Sequence, residues 1–280
     1  YTHNINYQSG DNFGNAGGHT VGFVKLGSGI LEFDEAESYS GLTKIEGGTL
    51  LLGANNMLPS GGVTVSSCLT TACYTSGSLT AAKLDLDEYD DTVGAVILTH
   101  GSIVGAGGGV LTGTSYTFNP ALADHTVTAS AILAGSVTLT KSGAGTANMS
   151  GNNTYSGAIT LGATSTIVST GGAHTISGTV NAGNGLTITS NSDLTISGVV
   201  GGSTALSAYA VTTTGSGTQT FSANITTTGN QTYTAAGGIT SSGARTFTSN
   251  SGTVNFASAL AGNNNNLTVS GAADIDGAVT

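Results

Sequence analysis

The sequence has no tryptophan, two prolines, two cysteines and five Lys or Arg residues in 280 positions. Each shortage excludes something. Charged residues make up 7%, too few for a helical bundle, whose exposed faces draw on Glu, Lys and Arg. Five cations cannot neutralise a run of phosphates, so no nucleic-acid partner is expected. Scarce proline and the lack of a three-residue glycine period rule out collagen despite 45 glycines. No apolar run reaches the ~18–20 residues of a membrane-spanning helix, so no transmembrane segment is expected in this chain. Simple disorder is disfavoured too, because 38% of the residues are apolar and they fall in short alternating runs.

What is present is alternation. Gly48-Thr-Leu-Leu-Leu, Gly62-Val-Thr-Val-Ser, Ser136-Val-Thr-Leu-Thr, Gly185-Leu-Thr-Ile-Thr, Asp193-Leu-Thr-Ile-Ser and Asn266-Leu-Thr-Val-Ser place apolar residues beside Thr or Ser with period two. That period, filled by β-branched residues, marks half-buried strands. Gly, Asn, Ser and Asp punctuate the runs, as turns require. The formal charge of −10 is uneven. Residues 1–140 hold twelve acids and three lysines, and residues 141–280 hold three acids, Lys141 and Arg245. The second half must stay soluble through hydroxyls and amides.

Internal repetition says more than any single strand. Lys25-Leu-Gly27-Ser-Gly29 and Lys141-Ser-Gly143-Ala-Gly145 open two matching segments, 25–66 and 141–182. Fourteen residues after each lysine stands Tyr-Ser-Gly, at Tyr39 to Gly41 and Tyr155 to Gly157. The offset of 116 also pairs Ile45 with Leu161 and Leu51 with Ile167. A looser series fills 205–280, with Gln219-Thr-Phe221, Gln231-Thr-Tyr233, Arg245-Thr-Phe247 and Val254-Asn-Phe256. Such repetition predicts coils stacked along one axis, a single continuous all-β solenoid over 1–280. With roughly 20 residues per coil, about 14 coils would make a rod ~65 Å long.

Lys141 to Thr146 followed by Ser150-Gly-Asn-Asn-Thr-Tyr-Ser-Gly-Ala-Ile-Thr-Leu resembles the autotransporter-associated β-strand repeat of bacterial passenger domains, and Lys25 to Leu52 resembles a more divergent copy. Leu84-Asp-Leu-Asp-Glu-Tyr-Asp-Asp-Thr-Val-Gly is similar to the segment that follows such a repeat, and 205–280 resembles the repeats of filamentous-haemagglutinin-like surface adhesins. The resemblance implies a right-handed parallel β-helix, secreted and displayed on a bacterial cell surface. The sequence departs from the pattern at Ala147-Asn148-Met149, which interrupts the alternating strand, and at 67–78, a Cys-bearing loop that looks inserted.

Candidate chemistry is sparse. Cys68 and Cys73 suit a short disulfide loop in an oxidising compartment, with two free thiols as the alternative. The start at Tyr1 without a signal peptide fits a mature or trimmed segment. Asp85, Asp87, Asp90 and Asp91 are dense enough in oxygen to hold Ca²⁺, although the run lacks the glycine and closing Glu of an EF-hand; a solvated acidic turn is the plainer reading. Glu32, Asp34, Glu35 and Glu37 form a second acidic run. Paired carboxylates hydrolyse glycosides when suitably spaced, but the cations that a β-helix lyase needs are scattered. The five histidines lack metal spacing and read as surface or corner residues. Tyr39, Tyr155, Phe221, Tyr233 and Phe247 suit an aromatic ladder between coils, or a sugar-stacking platform. Asn263 to Asn266 suits a polar loop or a stacked amide ladder.

The expected protein is therefore a non-enzymatic extracellular stalk, fibre or filament subunit. The alternatives are an adhesin module for a surface glycan or protein receptor and, third, a β-helix polysaccharide lyase or hydrolase. Strand pattern persists to the last residues, so end-to-end self-association or continuation into further repeats is expected.

Overall fold

The computed structural model describes residues 22–67, 82–169 and 172–280. Those residues form a parallel β-solenoid of about 11 turns with no helix. Every strand pairing is parallel, and strands inside each sheet bond to the strand one turn before and the strand one turn after. Period-two alternation makes this possible, because one face of each strand can be buried while the other meets water. Leu186–Ser190 shows the rule: Leu186, Ile188 and Ser190 are buried and the two threonines between them are not.

Each turn has three faces. The first stacks strands such as Phe23–Lys25, Thr43–Ile45 and Val63–Ser66. The second runs from Ile30–Phe33 through Thr49–Leu52 to Gln231–Ala235. The third stacks Asp91–Thr92, Val110–Thr112 and Ile132–Ala134, and then begins again at His174–Ile176. Near the C-terminal end the long strands Arg245–Phe256 and Leu267–Ile275 cross from the first face to the second, with a register shift between Thr248 and Thr253.

Turn length varies around the 20 residues expected, and the described residues make about 11 turns where 14 were expected over the whole chain. Nineteen residues separate Leu31 from its partner Leu50, and 34 separate Leu50 from Leu84. That longest turn contains the 67–78 stretch; Cys68 and Cys73 lie outside the described residues. At ~4.8 Å per turn, the solenoid is about 50 Å long.

The 116-residue repeat is structural. It carries Phe23–Lys25 onto Leu139–Lys141, Ile30–Phe33 onto Thr146–Met149 and Thr43–Ile45 onto Ile159–Leu161. Two expectations need correction. Ala147-Asn148-Met149 does not interrupt a strand, because Ala147 and Met149 point inward within Thr146–Met149. The pairing of Leu51 with Ile167 fails by one position. Leu50 lies on Leu31 and Ile167 lies on Ala147, so the buried equivalent of Ile167 is Leu50. One extra residue between Leu161 and Ser165 causes the slip.

The aromatics settle inside. Tyr39, Tyr155, Phe221, Tyr233 and Phe247 are all buried. Phe221, Tyr233, Phe247 and Phe256 pack ring against ring at 5.0–5.4 Å. They are a core, so the sugar-stacking alternative does not hold for them. Asn263 and Asn264 both have positive φ and form a polar turn.

Candidate functional site

The repeat-defining lysines are buried where sequence would place them outside. Lys25 Nζ donates to the carbonyls of Leu26, Gly27 and Gly47 at 2.8, 3.1 and 3.0 Å. Lys141 Nζ donates to those of Ser142 and Gly143 at 2.9 and 3.0 Å. Each ammonium thus caps the carbonyls of a corner that Gly27 or Gly143 turns with φ near 70°. Burial pushes the Lys141 ammonium down to about 8 and lowers that of Lys25.

The other charges are also committed to separate posts. Lys44 pairs with Glu46 at 2.9 Å and Lys83 with Asp85 at 2.8 Å. Asp87 is exposed and turns the chain at φ 50°. Asp90 accepts from Val110 N at 3.0 Å. Asp91 points inward, and its Oδ2 accepts from Leu58 N at 2.9 Å. The four residues considered for Ca²⁺ are thus divided among an ion pair, a turn, an inter-turn tie and the core. Among the described residues no group of three or more acidic, His or Cys side chains is placed to hold a metal ion. Of the second acidic run, Glu32, Asp34 and Glu35 are exposed while Glu37 is buried.

A column of larger buried polar side chains lies on the inner side of the third face. Asp91 lies on Leu111, and Leu111 on Leu133. Asn153 Oδ1 accepts from Leu133 N at 2.8 Å, which continues the column. Further on, His174 lies on Leu194, Leu194 on Gln219 and Gln219 on Ile239. Glu37 joins the other end, donating its N–H to Met57 O at 3.0 Å. Burial raises the Asp91 carboxyl to about 6 and lowers the His174 imidazole to about 4. Gln219 Nε2 donates to the carbonyls of Val211 and Thr234 at 3.1 and 2.8 Å. Asp91, Asn153 and Gln219 tie neighbouring coils through these bonds, with leucines between them.

His174 therefore corrects the expectation of surface histidines, since it is 1% exposed. The alternation of His174-Thr-Ile, read strictly, would have turned it inward. Sequence reading also missed a tie between adjacent turns. Ser67 Oγ bonds His100 Nδ1, and the His100 and His125 rings meet edge to face at 5.4 Å.

Outward, the second face presents two columns without a charged side chain. One runs Thr126, Thr146, Thr166, Thr187, Ala210, Thr232, and the other Thr128, Asn148, Val168, Thr189, Thr212, Thr234. This surface offers hydroxyls and methyls at the strand spacing of ~4.8 Å, and it would suit a neutral polar partner.

Residues 23–52 and 139–190 match the passenger-associated-transport-repeat model. The two matches begin 116 residues apart, at the two structural copies described above. These segments are passenger-associated transport repeats, the β-solenoid repeat of autotransporter-type passengers. No curated protein and no solved structure matches the chain.

Proposed function

We propose that this protein is a non-enzymatic structural and adhesive solenoid, exported to a bacterial cell surface and acting there as a stalk, fibre or filament subunit. The observation that carries the reading is the division of labour among its ionisable groups. Lys25 and Lys141 cap corners, Lys44 and Lys83 pair with acids on their own strands or next to them, and Asp91 sits in the core. Carboxylates and cations serve the ladder rather than converging on one groove. Passenger repeats of this kind suggest a secreted or surface location.

In this reading the backbone ladder is the mechanism. About 11 parallel turns share load, and among the described residues most of the backbone is held in or between ladder strands. Leu267–Ile275 pairs along one edge with Arg245–Phe256. Its other edge is suited to take a further turn, from the chain's own continuation or from a second copy. The uncharged threonine face supports the adhesive alternative, with a neutral glycan or a polar protein surface as partner.

Electron microscopy of purified protein, with sedimentation over a concentration series, tests the structural part. Rods about 50 Å long, or multiples of that length that grow with concentration, are expected. Compact particles, or turnover of an acidic polysaccharide by the purified chain, would overturn the reading. Protease shaving of intact cells tests the location: release of the chain is expected.

A further inference from the structure

We propose that the solenoid core holds ordered water between two successive turns of its third face, bound by Asn153, Tyr155 and His174. The two turns are stacked directly. A side chain built on Gly172 would meet the Asn152 side chain, and one built on Gly178 would meet Gly157. Within these limits burial alternates on both segments. Asn153 and Tyr155 are buried around an exposed Thr154, and His174 and Ile176 are buried around an exposed Thr175. His174 therefore sits over Asn153, and Ile176 over Tyr155.

The polar atoms of this layer are not satisfied by the protein. Asn153 Nδ2, Tyr155 Oη and both ring nitrogens of His174 are buried and have no hydrogen-bond partner among the described residues. A buried polar group left without a partner loses its hydration for nothing in return. Four such atoms in two adjacent turns would tax a marginally stable fold heavily.

The internal repeat shows what the layer lacks. In the first copy Tyr39 Oη bonds Thr43 Oγ1 at 2.5 Å. The residue equivalent to Thr43 in the second copy is Ile159, which has no hydroxyl. The tyrosine is kept inside while its protein partner is gone. Asn153 likewise occupies the position of Glu37, a charged side chain exchanged for a neutral amide.

The chemistry of the donor set selects the occupant. The Asn153 amide nitrogen donates. A neutral imidazole donates once and accepts once, and a phenol does both. Burial keeps His174 neutral down to about pH 4, so the layer carries no charge to attract an ion. A mixed, neutral set of donors and acceptors is what a bridging water satisfies.

A high-resolution crystal structure, together with water–protein NOE spectra, tests this. Density for at least one water within hydrogen-bond distance of Asn153 Nδ2 and the His174 ring is expected, with matching cross-peaks. A direct Asn153–His174 bond with no density between them would overturn the proposal. His174→Leu gives a second readout. It breaks a hydrated network but relieves a dry one, so no rise in melting temperature is expected, and a rise of about 2 °C or more would overturn the proposal. Ile159→Thr puts the first copy's residue at the equivalent position of the second. Its hydroxyl is expected to pair with Tyr155 as Thr43 does with Tyr39 and to remove the water contact at Tyr155 Oη. An unchanged melting temperature in a core without water density in either protein would also overturn it.

Discussion

Lys25 and Lys141 are one structural part used twice, 116 residues apart, each folding its ammonium back onto the carbonyls of the glycine corner that follows it. The Lys-x-Gly-x-Gly opening of the repeat thus has a physical reason. A corner exposes carbonyls that no ladder strand can satisfy, and a lysine turned inward supplies three donors on a long apolar stem.

Replacing Lys141 separates the stem from the charge. Lys141→Ala removes both and is expected to destabilise the fold by about 2 kcal/mol. Lys141→Met keeps the volume and should cost less than about 1.5 kcal/mol. The folded-state value of about 8 lies below the free value of 10.5. The contribution is therefore present above pH 10.5 and lost as pH falls through about 8. Thermal melts of the wild type should rise across that window, and those of Lys141→Met should be flat. A slope that survives in the Met variant would show that another group is responsible.

The corner glycines offer a matched comparison. Gly27 and Gly143 have φ of 71° and 69°, where a side chain is strained by about 1 kcal/mol. Nothing lies within 4 Å of a Cβ built on Gly27, whereas one built on Gly143 runs into the Pro120 carbonyl. Gly27→Ala should lower stability by the strain alone, and Gly143→Ala by at least about 1 kcal/mol more. Equal losses by denaturant unfolding would refute the packing difference.

Much of this architecture was legible beforehand, and the residues show why. Leu-Thr-Ile-Thr runs fix a buried and an exposed side with no need of context, and the offset between Lys25 and Lys141 announced stacking. The third face was harder. Its strands are two or three residues long and Asn153 lies outside any strand, so the inward turn of Asp91 and Asn153 could not be separated from a polar loop, and only His174-Thr-Ile carried a short alternation. The slip between Leu51 and Ile167 was hidden for a different reason. Both residues are apolar, and a one-residue change in a corner reverses which side is buried without changing the composition. The contact between Ser67 and His100 joins different turns and has no local signature at all.

The C-terminal aromatics should act as a local clamp. Phe247 meets Phe221, Tyr233 and Phe256 at 5.4, 5.4 and 5.1 Å. Phe247→Ala is expected to cost about 3–5 kcal/mol. In a solenoid each turn contacts mainly its neighbours, so the damage should stay near its site. Hydrogen exchange should quicken in Gln219–Phe221, Gln231–Ala235 and Arg245–Phe256 while Thr43–Ile45 stays protected. Uniform loss of protection along the rod would mean that it unfolds as one unit.

Asp91 makes the N-terminal half of the third face sensitive to pH. Its carboxyl is buried beside Leu58 N, with Oδ1 lacking a partner among the described residues. Burial holds its folded-state value at about 6, above the free value of 3.8. A raised value means that folding favours the protonated acid, so this stabilisation is complete below pH 3.8 and is lost as pH rises through about 6. Asp91→Asn imitates the protonated form in shape and charge, and its amide oxygen can still accept from Leu58 N. At pH 8 the variant should be the more stable protein, by on the order of 1 kcal/mol once partial solvent screening is allowed for. Below pH 4 the two should melt together. Urea titrations at pH 4, 6 and 8 would show the curves diverging as pH rises. If wild type were instead the more stable at pH 8, the ionised carboxylate would have to be stabilised by a partner in the core, and the assignment of Asp91 as a desolvated acid would fall.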